Sequence, residues 1–281
     1  MVDSYCIYNG HVISLYEPAI SFSNRAFRYG DSLFESIRYT NGKIMFLSDH
    51  VKRIKLSMTT LRMNVPAEFT TGNIEQLIIH LLEQNNIKQD ARIRLTVFRN
   101  EGGFYTPDTN DISFLIETEV LETSGYTLNQ KGLWVDIYAE IKKQINKISN
   151  LKTGSALLYV MAGITKTSLK LDDCLLVNDN GNIIESISAN IFVVKNGTLY
   201  TSPITDGCID GVMRKQILNI AAQNKILAFE QPLTVHTLTN GDEVFLTNAI
   251  KGIQWVGQFK NKFYTNQKAV FFTEKLNELA Q

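Results

Sequence analysis

Apolar residues alternate through "YCIYNGHVISL" on either side of Asn9-Gly10, a dipeptide suited to the positive backbone angles of a tight hairpin turn. "SLFESIRYTNGKIMFL" repeats the pattern around Asn41-Gly42, so two hairpins are expected. The period then lengthens in "SDHVKRIKLSMTTLRM". Val51, Ile54, Met58, Leu61 and Met63 lie broadly on one helical stripe, Leu56 falls off it, and Ser48 or Asp49 stands where a cap belongs. A second helix is expected through "GNIEQLIIHLLEQNN", followed by strands in "ARIRLTVF" and "DISFLIETEV" with the glycine-rich "NEGGFYTPDTND" between them. Residues 1–120 therefore read as a small α/β domain, an antiparallel sheet flanked by helices.

The polar stretch at residues 121–127, with Gly125, reads as a linker. Beyond it, residues 128–281 alternate short apolar runs with turn signals. "LWVDIYAEI", "DCLLVN", "IIESISANIFVVK", "TLYTS", "EVFLTN", "GIQWVGQF" and "KFYTN" read as strands. "SALLYVMAGITKTSLKL", "GVMRKQILNIAAQN" and "KAVFFTEKLNEL" read as helices. The whole is expected to be α+β, with a larger, barrel-like second domain.

Composition narrows the function. Lys plus Arg and Asp plus Glu both number 28, which cancels the formal charge and removes the electrostatic case for nucleic acid or an anionic membrane. Three distant cysteines, Cys6, Cys174 and Cys208, suit neither a disulfide framework nor a zinc site, and His11, His50, His80 and His236 have no ligand spacing, so no metal is expected. The opening "MVDSYCIYNGHVIS" lacks the pattern of a signal peptide, and no apolar run reaches the roughly 18–20 residues of a membrane span. A cytoplasmic protein is expected.

Four features carry candidate chemistry, and each has a bland reading. Lys152, just before an apolar helix, is either a surface lysine or a Schiff-base lysine. Glu185 is the lone carboxylate of an isoleucine-rich strand; it either faces solvent or meets a cation, because a buried unpaired carboxylate is costly. "CIDGVMRKQIL" opens a helix on a glycine turn, where the unpaired N–H groups of Val212 and Met213 suit a phosphate, although such helix starts are common. Arg53 can hold a phosphate with two nitrogens or sit solvated on its helix.

In this order, "ESISANIF" from Glu185, then "LYT" at 199–201, then "IDGVMR" at 209–214 resemble the signature of the class IV (fold-type IV) aminotransferases. Lys152 precedes Glu185 at the distance of that family's cofactor lysine, and "FRYGDSLFESIR" and "DHVKRIKLS" extend the resemblance over nearly the whole chain. The resemblance implies pyridoxal 5'-phosphate as cofactor, amino acids and 2-oxo acids as substrates, and a homodimer. Lys152 would carry the cofactor and move the proton. Arg53 with the Val212 and Met213 N–H groups would hold its phosphate, and Asn190 would help to position it. Tyr29, Phe34 and Arg94 align with substrate-pocket positions, and Arg28 could supply a second grip on an acid. Glu185 would hold the proton of the pyridine ring, finding its cation in the cofactor and not in another side chain.

Within the family the signals diverge. Arg94 and "FESIR" resemble branched-chain transaminases, which transfer the amino group of a small L-amino acid. Leu157 stands where those enzymes have a tyrosine, Met213 where they have a threonine, and Asn248 in "TNAIKG" near another threonine. These departures resemble 4-amino-4-deoxychorismate lyase, which eliminates pyruvate to give 4-aminobenzoate, as does Ser36; Phe104 after Gly102-Gly103 does not. A D-amino-acid transaminase is disfavoured by "FYT" in the same loop, and a cofactor-free binding protein by the joint presence of Lys152, Glu185 and Arg53.

Overall fold

The structure is a computed structural model that describes residues 4–17 and 20–281. The first three residues, part of the stretch read for a signal peptide, lie outside those described. The chain divides into two compact units, one running up to Gly125 with Leu151–Ser155 and Ala280 added, the other taking Tyr126–Asn150, Ala156–Leu279 and Gln281.

The elements of the first unit are β1 (Tyr5–Tyr8), β2 (His11–Ser14), α1 (Arg25–Tyr29), β3 (Ser32–Thr40), β4 (Lys43–Ile44), α2 (Leu47–Thr60), α3 (Thr71–Gln84), β5 (Ala91–Arg99) and β6 (Ile112–Val120). The strands form one antiparallel sheet in the order β2-β1-β6-β5-β3-β4. Both expected hairpins form, with Asn9-Gly10 at φ 49° and 86° and Asn41-Gly42 at φ 50° and 76°. Leu33 and Ile37 of β3 and Ile93, Leu95 and Val97 of β5 pack with Val51, Ile54, Ile74 and Ile78 from the helices into one core, and Leu56 is exposed as its phase requires.

Helix α2 begins earlier than Ser48 or Asp49 would set it. The Met45 N–H still bonds the Arg38 carbonyl, so strand pairing persists to Met45 and the chain turns at Phe46, whose φ is 56°. Asp49 falls in the first turn, where its charge still complements the helix dipole.

The second unit comprises β7 (Leu133–Lys143), α4 (Leu157–Ser168), β8 (Asp173–Asn178), β9 (Ile183–Ser186), β10 (Asn190–Lys195), β11 (Thr198–Thr201), α5 (Val212–Gln223), β12 (Ala228–Glu230), α6 (Val235–Thr239), β13 (Glu243–Asn248), β14 (Gly252–Phe259), β15 (Lys262–Phe263) and α7 (Gln267–Ala280). Its sheet runs β12-β11-β10-β13-β14-β7-β8-β9, and β9 pairs back onto β10. Strands β10, β13, β14, β7, β8 and β9 thus close a ring, the barrel-like arrangement expected. Among the described residues no helix is long and apolar enough to cross a membrane.

One expected strand is in fact two. "IIESISANIFVVK" reverses after β9, with the Ser186 N–H bonded to the Ala189 carbonyl, so that Asn190 lies opposite Glu185. The apolar alternation continues through the reversal, which hides it from a periodicity reading. Short elements such as α1, α6 and β12 were also below what the pattern resolves.

Candidate active site

Each unit carries candidate residues of its own. In the first, residues 151–155 run beside the start of β3: the Phe34 N–H bonds the Lys152 carbonyl at 2.9 Å, and the Gly154 N–H bonds the Ser32 carbonyl at 2.8 Å. A Cβ at Gly154 would lie 2.1 Å from Ser32 Oγ, so a larger residue there would displace that hydroxyl. Lys152 Nζ sits 4.3 Å from the centre of the Phe34 ring, and the Arg94 guanidinium carbon 4.0 Å from the same ring. Burial, and Arg92 nearby, lower the pKa of Arg94. Tyr29 ends α1 and packs on Tyr105 with ring centres 5.6 Å apart. Arg28 is exposed and donates to the Phe22 carbonyl at 3.2 Å, so no described contact gathers it with Arg94.

Arg53 lies one helical turn after His50 on α2, and both reach Glu35 on β3. Arg53 donates from Nε to Glu35 Oε1 at 2.7 Å and from its terminal nitrogen to Oε2; His50 Nδ1 lies 2.7 Å from Oε2. Burial alone would push the Glu35 carboxyl up, but the Arg53 guanidinium and the His50 ring outweigh it and hold the value at about 2. Burial lowers His50 against the pull of Glu35, and its Nε2 is buried without a partner, as a neutral ring leaves it. Sequence reading missed Glu35 and His50, although the three-residue spacing from His50 to Arg53 puts both on one helix face.

In the second unit, Glu185, Asn190 and Thr247 are directly opposed across β9, β10 and β13, so their side chains share one face of the sheet. Glu185 Oε2 accepts the Ile209 N–H at 2.7 Å, and Asn190 Nδ2 donates to the Ile209 carbonyl at 2.8 Å. The backbone of Ile209 is therefore held at both its N–H and its carbonyl just before α5. Gly211 caps α5 without any side-chain hydrogen bond, and a Cβ there would lie 1.8 Å from Asn190 Oδ1. Val212 and Met213 are the first two residues of the helix, where N–H groups lack helical partners. Asn248 Oδ1 accepts from the Ile250 and Lys251 N–H groups at 3.0 and 2.8 Å, capping the turn after β13. Its neighbour Thr247, missed from sequence, has a buried hydroxyl without a partner.

The expectation that Glu185 lacks a side-chain cation is overturned. Lys143, at the end of β7, places Nζ 2.6 Å from Glu185 Oε1 and 2.9 Å from the Tyr159 hydroxyl, which itself lies 2.9 Å from Oε1. A carboxylate only 2% exposed is costly without such neutralisation. Burial, then Glu185, raise the Tyr159 phenol far above its ordinary value. "EIKKQINK" reads as a solvated lysine run, so nothing separates Lys143 from Lys142 in sequence.

A carboxylate offers about four lone-pair positions, and the described contacts fill three on Glu185, leaving one on Oε2. That free position, the uncapped start of α5 and the unpartnered Thr247 hydroxyl fit a phosphorylated ring whose nitrogen carries a proton. A concavity of about 320 Å³ lined by Pro66, Phe69, Ile74 and Phe114 contains none of these residues.

Residues 32–259 match the model of the amino-transferase class IV family. A putative branched-chain-amino-acid aminotransferase of Methanocaldococcus jannaschii is 28% identical over 279 residues, covering 96% of this chain and 93% of its own. The branched-chain amino acid aminotransferase of Thermobaculum terrenum in its PLP form superposes with a TM-score of 0.86 at 20% identity, over 99% of this chain and 94% of its own. A putative 4-amino-4-deoxychorismate lyase of Legionella pneumophila gives 0.83 at 22% identity, over 95% and 97%.

Proposed function

The chain belongs to the amino-transferase class IV family, whose cofactor is pyridoxal 5'-phosphate, and from that premise we propose that it transfers the amino group of a small L-amino acid of the branched-chain type to a 2-oxo acid. The observation that carries this reading is the buried Glu185 carboxylate, tied through Ile209 and Asn190 to the glycine turn that opens α5. When bound, the cofactor supplies an electron sink for charge at the substrate Cα.

The chain's own groups divide the remaining work. Lys152 takes the proton from the substrate Cα and returns it on the cofactor side. Arg53, held by Glu35, offers a guanidinium to a phosphate, and in the second unit the Val212 and Met213 N–H groups with the Thr247 hydroxyl or Asn248 offer donors to one. Arg94, stacked on Phe34, binds the substrate carboxylate; Tyr29 and Phe34 bound the side chain. The protein works in the cytoplasm as a homodimer.

Leu157, Met213 and Asn248 favour pyruvate elimination from aminodeoxychorismate as the second reading. Adding L-leucine or L-glutamate without a keto acid separates the two. Conversion of the bound cofactor to its amino form, read in the visible spectrum, supports transfer. A spectrum unmoved by either, with pyruvate released from aminodeoxychorismate, supports elimination.

A further inference from the structure

We propose that Lys143 is a positioning residue that acts through Glu185 to weaken the hold on the cofactor's ring proton. The proposal rests on the reading above that Glu185 receives the pyridine nitrogen. Lys143 and Glu185 are 2.6 Å apart with side chains 10% and 3% exposed, so little water screens the pair. The Tyr159 hydroxyl bridges the two and fixes their geometry, accepting from Nζ and donating to Oε1, both at 2.9 Å. Lys143 Nζ also lies 5.5 Å from the centre of the Tyr159 ring.

One carboxylate therefore serves two cations, the ammonium on Oε1 and the ring N–H on the open position of Oε2. The Tyr159 and Cys208 groups beside it add no negative charge. Tyr159 on α4 keeps its proton; Cys208, 0% exposed, is pushed up to about 11 by burial and by Glu185. Arg214 on α5 is occupied by the Ser202 carbonyl and Glu230. A resident cation that shares the acceptor disfavours a second positive charge beside it, so the ring gives up its proton at lower pH than Glu185 alone would allow.

The test uses full-length protein loaded with pyridoxal 5'-phosphate labelled with 15N in the ring, titrated by NMR in the wild type and in Lys143→Met, Lys143→Gln and Lys143→Arg. The expected result is a ring midpoint about one pH unit or more higher in the two neutral variants, with Lys143→Arg restored toward the wild type. Removal of a merely structural lysine would not shift the midpoint by charge. Should Lys143→Met fail to fold, Lys143→Gln, which keeps a hydrogen-bonding end, carries the comparison. Equal midpoints in wild type and neutral variants, or a ring that stays protonated in all of them across the stable range, overturn the proposal alone. A wild-type protein that takes up no cofactor overturns the underlying reading, and the proposal with it.

Discussion

Glu35 in the first unit and Glu185 in the second occupy the same tripeptide, Glu-Ser-Ile, on a strand, and are 1% and 2% exposed. Each has three described acceptor positions filled, yet by different chemistry. Glu35 meets a planar guanidinium at two points and a histidine ring, all from α2. Glu185 meets an ammonium from β7, a phenol from α4 and a backbone N–H from the segment before α5. The first arrangement fixes the guanidinium, which stays 13% exposed and able to work elsewhere. The second ties three elements to a carboxylate with an acceptor position to spare. On the proposed reading, the same buried acid would serve as a holder or as a binding group according to which element supplies its partners.

The comparison is broken most severely by neutralising the binding group. Glu185→Gln is expected to lower turnover at saturating cofactor by about 10²–10³-fold, while the protein still takes up pyridoxal 5'-phosphate. Steady-state rates would check this, and wild-type turnover would reduce Glu185 to a structural residue. Glu35→Gln should act differently: cofactor dissociation rises about tenfold or more, with turnover at saturation unchanged, because only the aim of Arg53 is lost.

Acid should distinguish the two as well. Glu35 is held at about 2, below its ordinary 4.5, so the unfolded chain binds more protons as pH falls. Its stabilisation is full above pH 4.5 and is lost as pH drops toward 2, about 3 kcal/mol in all. His50, lowered from 6.5, adds a loss of the same sign that begins at higher pH. Thermal melts between pH 7 and 3 should therefore steepen in the wild type and flatten in Glu35→Gln. The smallest expected effect is that of Tyr159→Phe, which removes one donor from Glu185 and costs about 1 kcal/mol of stability in a denaturant titration.

Much of the scaffold was legible. Asn-Gly pairs marked both hairpins because they supply positive φ, and the helical stripes of α2, α3, α5 and α7 appeared wherever one face was apolar. The residues of the candidate site were legible by resemblance, with Lys152, Arg53 and Glu185 each anchored in a quoted segment. What was hidden depended on pairing. The reversal inside "IIESISANIF" is invisible to alternation, and it alone brings Asn190 opposite Glu185. Lys143 and Tyr159 are 42 and 26 residues from Glu185 and meet it only through strand order and the α4 packing. Thr247 was passed over for Asn248 because sequence cannot show which of two adjacent polar residues shares a face with Asn190.

Two lysines now stand beside candidate groups, Lys152 against Phe34 and Lys143 against Glu185, and the account assigns them opposite roles. The most direct test is to load the protein with pyridoxal 5'-phosphate, fix the cofactor to its lysine by borohydride reduction, and locate the modified residue by peptide mass spectrometry. Modification at Lys152, with Lys143 unmodified, is the predicted result; modification at Lys143 would contradict the account.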